Sequence, residues 1–250
     1  MHIRVINPNT TESMTALIEA SARAVAGPGT VVDAVTPAMG PASIESHYDE
    51  ALAVPGLLAE IAAGERDGVD GYVLACFGDP GLDAARELAG GPVVGIAEAA
   101  MHAATLVGRG FSVVTTLART RGRALELASR YVAAGACRGV HACDIPVLDL
   151  EGDPSVLNRV VDLARTALER DDSDVIVLGC AGMADLCAAA SAELGVPVID
   201  GVAAATVLVE SLLRMGVRTS RRGEYAPPPA KAYRGILRDF AVDRAAAAVR

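Results

Sequence analysis

Three strand-like segments of this 250-residue chain recur at nearly constant spacing. Asp70-Gly-Tyr-Val-Leu-Ala-Cys76 aligns with Asp174-Val-Ile-Val-Leu-Gly-Cys180 at an offset of 104 residues. Gly91–Ile96 aligns with Val196–Gly201 at an offset of 105, and Arg4–Asn9 aligns loosely with Ser112–Leu117 at 108. A repeat of this length is as long as a small domain. It restricts the chain to folds that can be built twice and packed against themselves.

Each copy alternates short apolar, β-branched runs with longer helical patterns. In the first half the strands are read at Ile3–Ile6, Thr30–Val35, Val69–Cys76 and Pro92–Ile96. The helices between and after them are read at Glu12–Ala26, Tyr48–Glu65, Leu82–Ala89 and Ala97–Val107, with Pro80 suited to opening the third. Thr10 and Thr11 are placed to cap the first helix, and Pro55 to split or kink the second. In the second half the strands are read at Phe111–Thr115, Gly139–Ala142, Asp174–Cys180 and Val196–Ile199. Ile145–Leu148 continues the second of these or edges the sheet. The helices run through Val132 and over Pro154–Arg170, Ala184–Leu194 and Ala203–Met215. After Ala226-Pro-Pro-Pro, an extended linker, a terminal helix is expected over residues 230–248.

Strands that alternate with helices call for parallel sheets. The expected fold is therefore α/β, with two pseudo-symmetric lobes, each a mostly parallel sheet flanked by helices, and a cleft between them. Residues 1–98 with 208–250 form the first lobe, which contributes Cys76; residues 99–207 form the second, which contributes Cys180.

Composition narrows the function classes. At 52% hydrophobic and 21% charged residues the chain is not disordered. The mean hydropathy of +0.35 raises the question of a membrane span. Yet Val175–Cys180 is short, and Val202–Leu213 is broken by Glu210, well below the ~20 apolar residues a span needs. A net charge of −9 with scattered basic residues argues against nucleic acid and against an anionic membrane surface. Five cysteines, an odd number, and no secretory leader ahead of Ile3–Ile6 suggest reduced thiols in a cytoplasm. Apolar residues in excess of what a compact monomer needs point to a homo-oligomer.

The repeat gives two of the five cysteines the same address. Cys76 and Cys180 each follow a buried strand and precede a Gly-containing turn, at the sheet edge where α/β folds bind ligands. A nearby helix N-terminus is expected to favour thiolate there. Two thiols facing each other across a cleft suit a proton taken from one face of a carbon and returned to the other. Taken singly, a strand-end cysteine reads as a small buried hydrophobe; it is the matched pair that points to chemistry. Cys137 and Cys143 flank His141, but the spacing and the missing fourth ligand make a metal site unexpected. Cys187 reads as core. Asn7, Asn9, Thr115 and Thr116 follow equivalent strands and suit helix capping and ligand binding equally. Gly78, Gly81 and Gly182 suit positive φ or close backbone approach. No G-x-G-x-x-G or P-loop pattern argues for a nucleotide. The loop holding Ser43, Ile44 and Glu45 is long enough for a lid over substrate. Glu98 and His102 read as a structural pair on one helix face.

Ile6-Asn-Pro-Asn-Thr10, Ala75-Cys-Phe-Gly-Asp-Pro-Gly-Leu82, Val94-Gly-Ile-Ala-Glu-Ala-Ala100 and Leu178-Gly-Cys-Ala-Gly-Met183 together resemble the motifs of the aspartate/glutamate/hydantoin racemase superfamily. The likeness is greatest to its hydantoin and allantoin racemases and extends from Ile3 to about Gly216. The resemblance implies racemisation by two bases without a cofactor, with the catalytic pair on Cys76 and Cys180. It also implies that Asn9, Phe77, Gly78, Thr115, Thr116, Ala181 and Gly182 line the substrate. Ile96–His102 with Phe111–Thr116 looks more like allantoin racemase than like racemases of bulky 5-substituted hydantoins, and three Phe with no Trp lean the same way. The expected substrate is a small ureide, allantoin first and other 5-substituted hydantoins second. Relatives that decarboxylate malonates or isomerise maleate do not need two matched thiols. A two-lobed binding protein for small polar ligands is the non-enzymatic alternative.

Overall fold

The computed structural model describes residues 1–153 and 155–242. Two four-stranded sheets, each entirely parallel, form the frame. The first contains β1 (His2–Ile6), β2 (Val31–Val35), β3 (Gly71–Leu74) and β4 (Val93–Gly95) in the order β2-β1-β3-β4. The second contains β5 (Phe111–Thr115), β6 (Cys137–Ala142), β7 (Val175–Leu178) and β8 (Val198–Ile199) in the order β6-β5-β7-β8. Helices follow the strands one for one: α1 (Glu12–Val25), α2 (His47–Asp67), α3 (Leu82–Leu88) and α4 (Ile96–Val107), then α5 (Arg121–Tyr131), α6 (Ser155–Asp171), α7 (Cys187–Leu194) and α8 (Gly201–Arg214). The two halves are the same four strand–helix units built twice. The pairing keeps step as well: Ile3 lies opposite Gly71 in the first sheet, and Phe111 opposite Val175 in the second.

Alternation along the strands divides the core. Ile3 and Val5 of β1, Val73 of β3, Phe111 and Val113 of β5, and Val175 and Val177 of β7 all face one shared cluster. Their neighbours Ile6, Tyr72 and Leu74 face an outer layer under α2 and α3. Val114, Ile176 and Leu178 face the corresponding layer under α6 and α7. This is the period-two pattern of strands buried on both faces. The shared cluster contains Met14 and Ile18 of α1, Met101 of α4, Leu127 of α5 and Val202 and Val209 of α8. The last helices are exchanged: α4 packs against β5, β7 and β8, whereas α8 packs against β1, β3 and β4, and the two helices pack on each other. On this exchange we propose the lobe division of residues 1–98 with 208–250 against 99–207.

Several local expectations are corrected. Thr11 occupies the position before α1 but makes no cap; its hydroxyl donates to the Ala42 carbonyl at 2.7 Å, and Thr10 donates to that of Pro41 at 3.3 Å. The loop crossing overhead brings the Pro41 and Ala42 carbonyls within reach, Pro41 O accepting from the Thr10 N–H at 2.9 Å as well, and the two hydroxyls bond to them in preference to the helix end. Pro55 does not split α2, which is continuous from His47 to Asp67. Ile145–Leu148 is not a strand: Pro146 lacks an N–H for pairing, and a 3-10 turn, Val147–Asp149, follows it. The described part of the expected terminal helix is extended chain with a 3-10 turn at Gly235–Phe240, and residues 243–250 lie outside the described residues. Among the described residues no helix is long and apolar enough to cross a membrane.

The shared cluster makes a specific demand. Met101 is fully buried between the sheets, so Met101→Ala should lower unfolding stability by about 2–5 kcal/mol. Chemical denaturation followed by circular dichroism should show one transition moved to lower denaturant. Two separated transitions would mean lobes that fold independently.

Candidate active site

Parallel strands all leave their sheet at the same edge, and here the two edges meet over one cavity of about 190 Å³. Cys76 follows β3 and Cys180 follows β7; both line the cavity and both are half-buried. Each thiol begins a turn closed three residues on, by Asp79 N–H to Cys76 O at 2.9 Å and by Met183 N–H to Cys180 O at 3.1 Å. Each sulfur is met by the backbone N–H two residues later, Gly78 in one turn and Gly182 in the other. A Cβ at Gly182 would lie 3.6 Å from Cys180 Sγ, and one at Gly78 would lie 2.4 Å from the Glu50 carboxylate. Gly78 therefore sits where a side chain would collide with Glu50, whereas at Gly182 the tighter neighbour is Leu150 Cδ1 at 3.1 Å.

Desolvation dominates the charge state of the pair. Burial pushes the Cys76 thiol up to about 12 and the Cys180 thiol up to about 11, and the Gly N–H groups offset only part of this. The expected lowering by helix N-termini is corrected. α3 starts only at Leu82, six residues after Cys76, beyond the reach of a dipole that acts over the first turn; Cys180 sits at the N-cap of a short 3-10 helix, Ala181–Leu186, that leads into α7, and there desolvation outweighs whatever the helix end contributes. Nearby carboxylates add to the rise, Glu50 for Cys76 and Glu45 for Cys180.

The first strand's loop supplies an amide. Asn9 Oδ1 accepts from Asn7 Nδ2 and from Thr11 N–H, both at 2.9 Å. Those two donors fix the amide's orientation and turn Nδ2 to the cavity, where its nearest partner is the weak acceptor Met14 Sδ at 3.1 Å. From the second lobe come Thr115 and Thr116; the Thr115 hydroxyl donates to Gly179 O at 3.3 Å. Phe77, Gly78, Ala181 and Ile44 line the same space. Ser43 does not, and Gly182 contributes its N–H to Cys180 from behind the wall. The long loop is tied across the cleft: Glu45 Oε1 accepts from Val147 N–H at 2.7 Å, joining the lobes directly over the cavity.

Residues not singled out from the sequence complete the wall. Ser46 caps α2 by accepting from Asp49 N–H, which sets Glu45, His47 and Glu50 at the cavity rim. Arg123 of α5 donates to Gly78 O at 2.8 Å and lies 3.6 Å from Glu50, so a helix of the second lobe grips the Cys76 turn. Arg119 and Thr120 line the mouth. The Ser-x-x-Asp capping pattern at Ser46 was a readable signal for the rim carboxylates. Nothing in the spacing from Cys76 to Arg123 marks their contact.

The Cys76 turn has a further anchor. Asp79 is 3% exposed, adopts φ +44°, and accepts from Ala97 N–H at 3.1 Å and Glu98 N–H at 3.0 Å. It caps α4 from outside, and burial raises its carboxyl to about 7. Glu98 pairs with Arg86, not with His102. His141 pairs with Asp171 at 2.6 Å, and among the described residues no cluster of His, Cys, Asp and Glu is arranged to hold a metal ion.

The Asp/Glu/hydantoin racemase family model matches residues 3–209. The chain belongs to this family. The match takes in both thiol turns, the Asn9 loop and all eight strands. A hydantoin racemase of Rhizobium meliloti is 50% identical over 239 residues, covering 94% of this chain and 98% of that protein. The structure of an allantoin racemase from Klebsiella pneumoniae superposes with a TM-score of 0.94 at 52% identity, covering 96% of this chain and 99% of the other. One from Pseudomonas fluorescens gives 0.90 at 39% identity, with 94% and 100% covered. By family the chain is an enzyme of the racemase class.

The raised thiols set a pH dependence. A thiol with an elevated pKa is protonated at neutral pH and gains thiolate as pH rises. Alkylation of Cys76 and Cys180 by iodoacetamide, resolved by peptide mass spectrometry, should accelerate about tenfold per pH unit from pH 7 to 9 at both thiols. Rates that are flat across that range would contradict the burial argument.

Proposed function

We propose that this racemase interconverts the enantiomers of a five-membered ureide ring, allantoin first, using Cys76 and Cys180 as opposed acid and base. The observation that carries the reading is the matched pair: two cysteines at equivalent strand ends, on one cavity, each with a glycine N–H on its sulfur. In such a ring the reacting C–H is α to a carbonyl and bonded to nitrogen. One sulfur, as thiolate, takes this proton, and the electron pair moves into the ring carbonyl as an enolate. The other sulfur, as thiol, returns a proton to the opposite face and becomes the thiolate. The two sulfurs have then exchanged roles, and no electrons have left the substrate. A thiolate of raised pKa is a strong base for this step, at the cost of being scarce at neutral pH. Asn9 Nδ2 and the Thr116 hydroxyl are the groups that would hold the ring oxygens as charge builds, with Thr115 shaping the wall beside them.

Cavity size and a few polar groups on a mainly apolar wall support allantoin. A space of about 190 Å³ bounded by Asn9, Thr115, Thr116, Glu45 and Arg119 suits a compact ring with a ureido substituent better than a bulky aryl one. Racemisation of other 5-substituted hydantoins is the second reading, supported by the relative from Rhizobium meliloti. On the first reading the enzyme serves purine breakdown, and the five free thiols suit a reducing cytoplasm. We also infer a homo-oligomer: the 3-10 turn Gly235–Phe240 presents Ile236, 94% exposed, and Leu237 to solvent, apolar surface that a second copy would cover.

A chiral assay decides both parts. The purified enzyme, without added cofactor, should abolish the optical rotation of either allantoin enantiomer faster than the spontaneous reaction. Cys76→Ser and Cys180→Ser should each lower the rate at least ~10³-fold. No acceleration on allantoin but activity on a hydantoin panel would move the substrate to the second reading. Full activity in either variant would end the two-thiol scheme.

A further inference from the structure

The two thiols start equivalent turns that are held by different forces: the Cys76 turn runs through positive φ at Asp79 and Gly81, whereas Cys180 opens a 3-10 helix, Ala181–Leu186. At the repeat offset, Asp79 corresponds to Met183 and Gly95 corresponds to Asp200. The same two helix N–H groups need an acceptor in each lobe, Ala97 and Glu98 in α4, Val202 and Ala203 in α8. In the second lobe Asp200 supplies it from the helix's own cap position, at 2.9 and 3.2 Å. In the first lobe that position is Gly95, which has no side chain to offer, and the acceptor is Asp79, reaching over from the thiol turn at 3.1 and 3.0 Å. The exchange is sterically closed, because a Cβ at Gly95 would lie 2.3 Å from the Asp79 carboxylate. Met183, in Asp79's place, is buried in the outer apolar cluster of the second lobe.

A second element grips the same turn. Arg123, Leu127 and Tyr131 fall four residues apart on α5 and so share one face of that helix. Arg123 holds Gly78 O at 2.8 Å, Leu127 is buried in the shared core, and the Tyr131 hydroxyl donates toward the Asp79 carboxylate. The Cys76 turn is therefore tied at Gly78 and at Asp79 to two helices that pack against the second lobe, whereas the Cys180 turn rests on apolar packing.

We propose that Asp79 is the positioning residue for Cys76: it locks the Cys76 turn to the N-terminus of α4 and makes two symmetry-related thiols unequal in rigidity. Asp79 touches no substrate in this account; it acts through the turn. The proposal rests on the reading of Cys76 as a reacting group only for its effect on turnover, not for its effect on the thiol itself.

Asp79→Asn keeps the size of the side chain but sets an amide donor against one of the α4 N–H groups. The readouts are steady-state racemisation and the rate of iodoacetamide alkylation at Cys76 and at Cys180, resolved by peptide mass spectrometry. We expect kcat to fall at least tenfold with KM changed less than threefold, Cys76 alkylation to rise at least threefold as the turn loosens, and Cys180 alkylation to stay within twofold. Tyr131→Phe, which removes one hydroxyl only, should shift the same ratio in the same direction by a smaller factor, and stands in if Asp79→Asn does not fold. An unchanged ratio of Cys76 to Cys180 alkylation in the folded variants overturns the proposal, even if activity falls. Equal rises at both thiols also overturn it, since they report general loosening. If Cys76→Ser remains fully active, the racemase reading of Cys76 fails while the alkylation ratio still decides the positioning.

Discussion

A parallel sheet releases every strand at one edge, and that constraint organises this molecule. Crossover helices must return the chain to the opposite edge before each new strand, so loops with free backbone groups collect where the strands end. Building the unit twice and packing the copies through α1, α4, α5 and α8 turns the two loop-bearing edges onto one cavity. That Cys76 and Cys180 line the same cavity follows from topology. The exchange of α4 and α8 between sheets then makes the lobes depend on each other, since each sheet is covered by the other half's last helix.

Burial gives the thiols their character and sets a limit on it. Desolvation at the cavity raises both thiols, to about 12 and about 11, and so favours their protonated form at neutral pH. Strong basicity and low population are two faces of the same desolvation. The cavity does not correct this with a lysine or histidine beside each sulfur. It supplies a glycine N–H to each sulfur and carboxylates at the rim, with Arg123 balancing Glu50. The strand frames of the two lobes match, but the Cys76 turn is ringed by charged side chains, Asp79, Glu50 and Arg123.

Much of this was legible in the sequence because the repeat is written in strand ends. Offsets of 104 to 108 residues located β1, β3 and β4 against β5, β7 and β8, and put both cysteines at one address. What escaped was set by tertiary approach. Thr11 looks like a cap until the carbonyl of Ala42 arrives above it. Glu50 and Arg123 are surface-like residues on amphipathic helices, and only the packing of α2 and α5 around the Cys76 turn makes them part of a site. Ser43 sits in the expected lid loop, but its neighbours Ile44 and Glu45 line the cavity instead. The direction of the thiol pKa values is not legible in strand-end position, because desolvation by the packed cavity wall is a tertiary effect and outweighs local backbone donors at both sulfurs.

The central claim is that two different sulfurs handle the departing and the arriving proton. It is tested most directly by running the unmodified enzyme in deuterium oxide on one protiated enantiomer, stopping at low conversion, and measuring isotope content in both enantiomers. A two-thiol exchange predicts deuterium at the reacting carbon of the newly formed enantiomer and protium in the recovered starting one. Deuterium in equal measure in both, or protium carried into the new enantiomer, would contradict it.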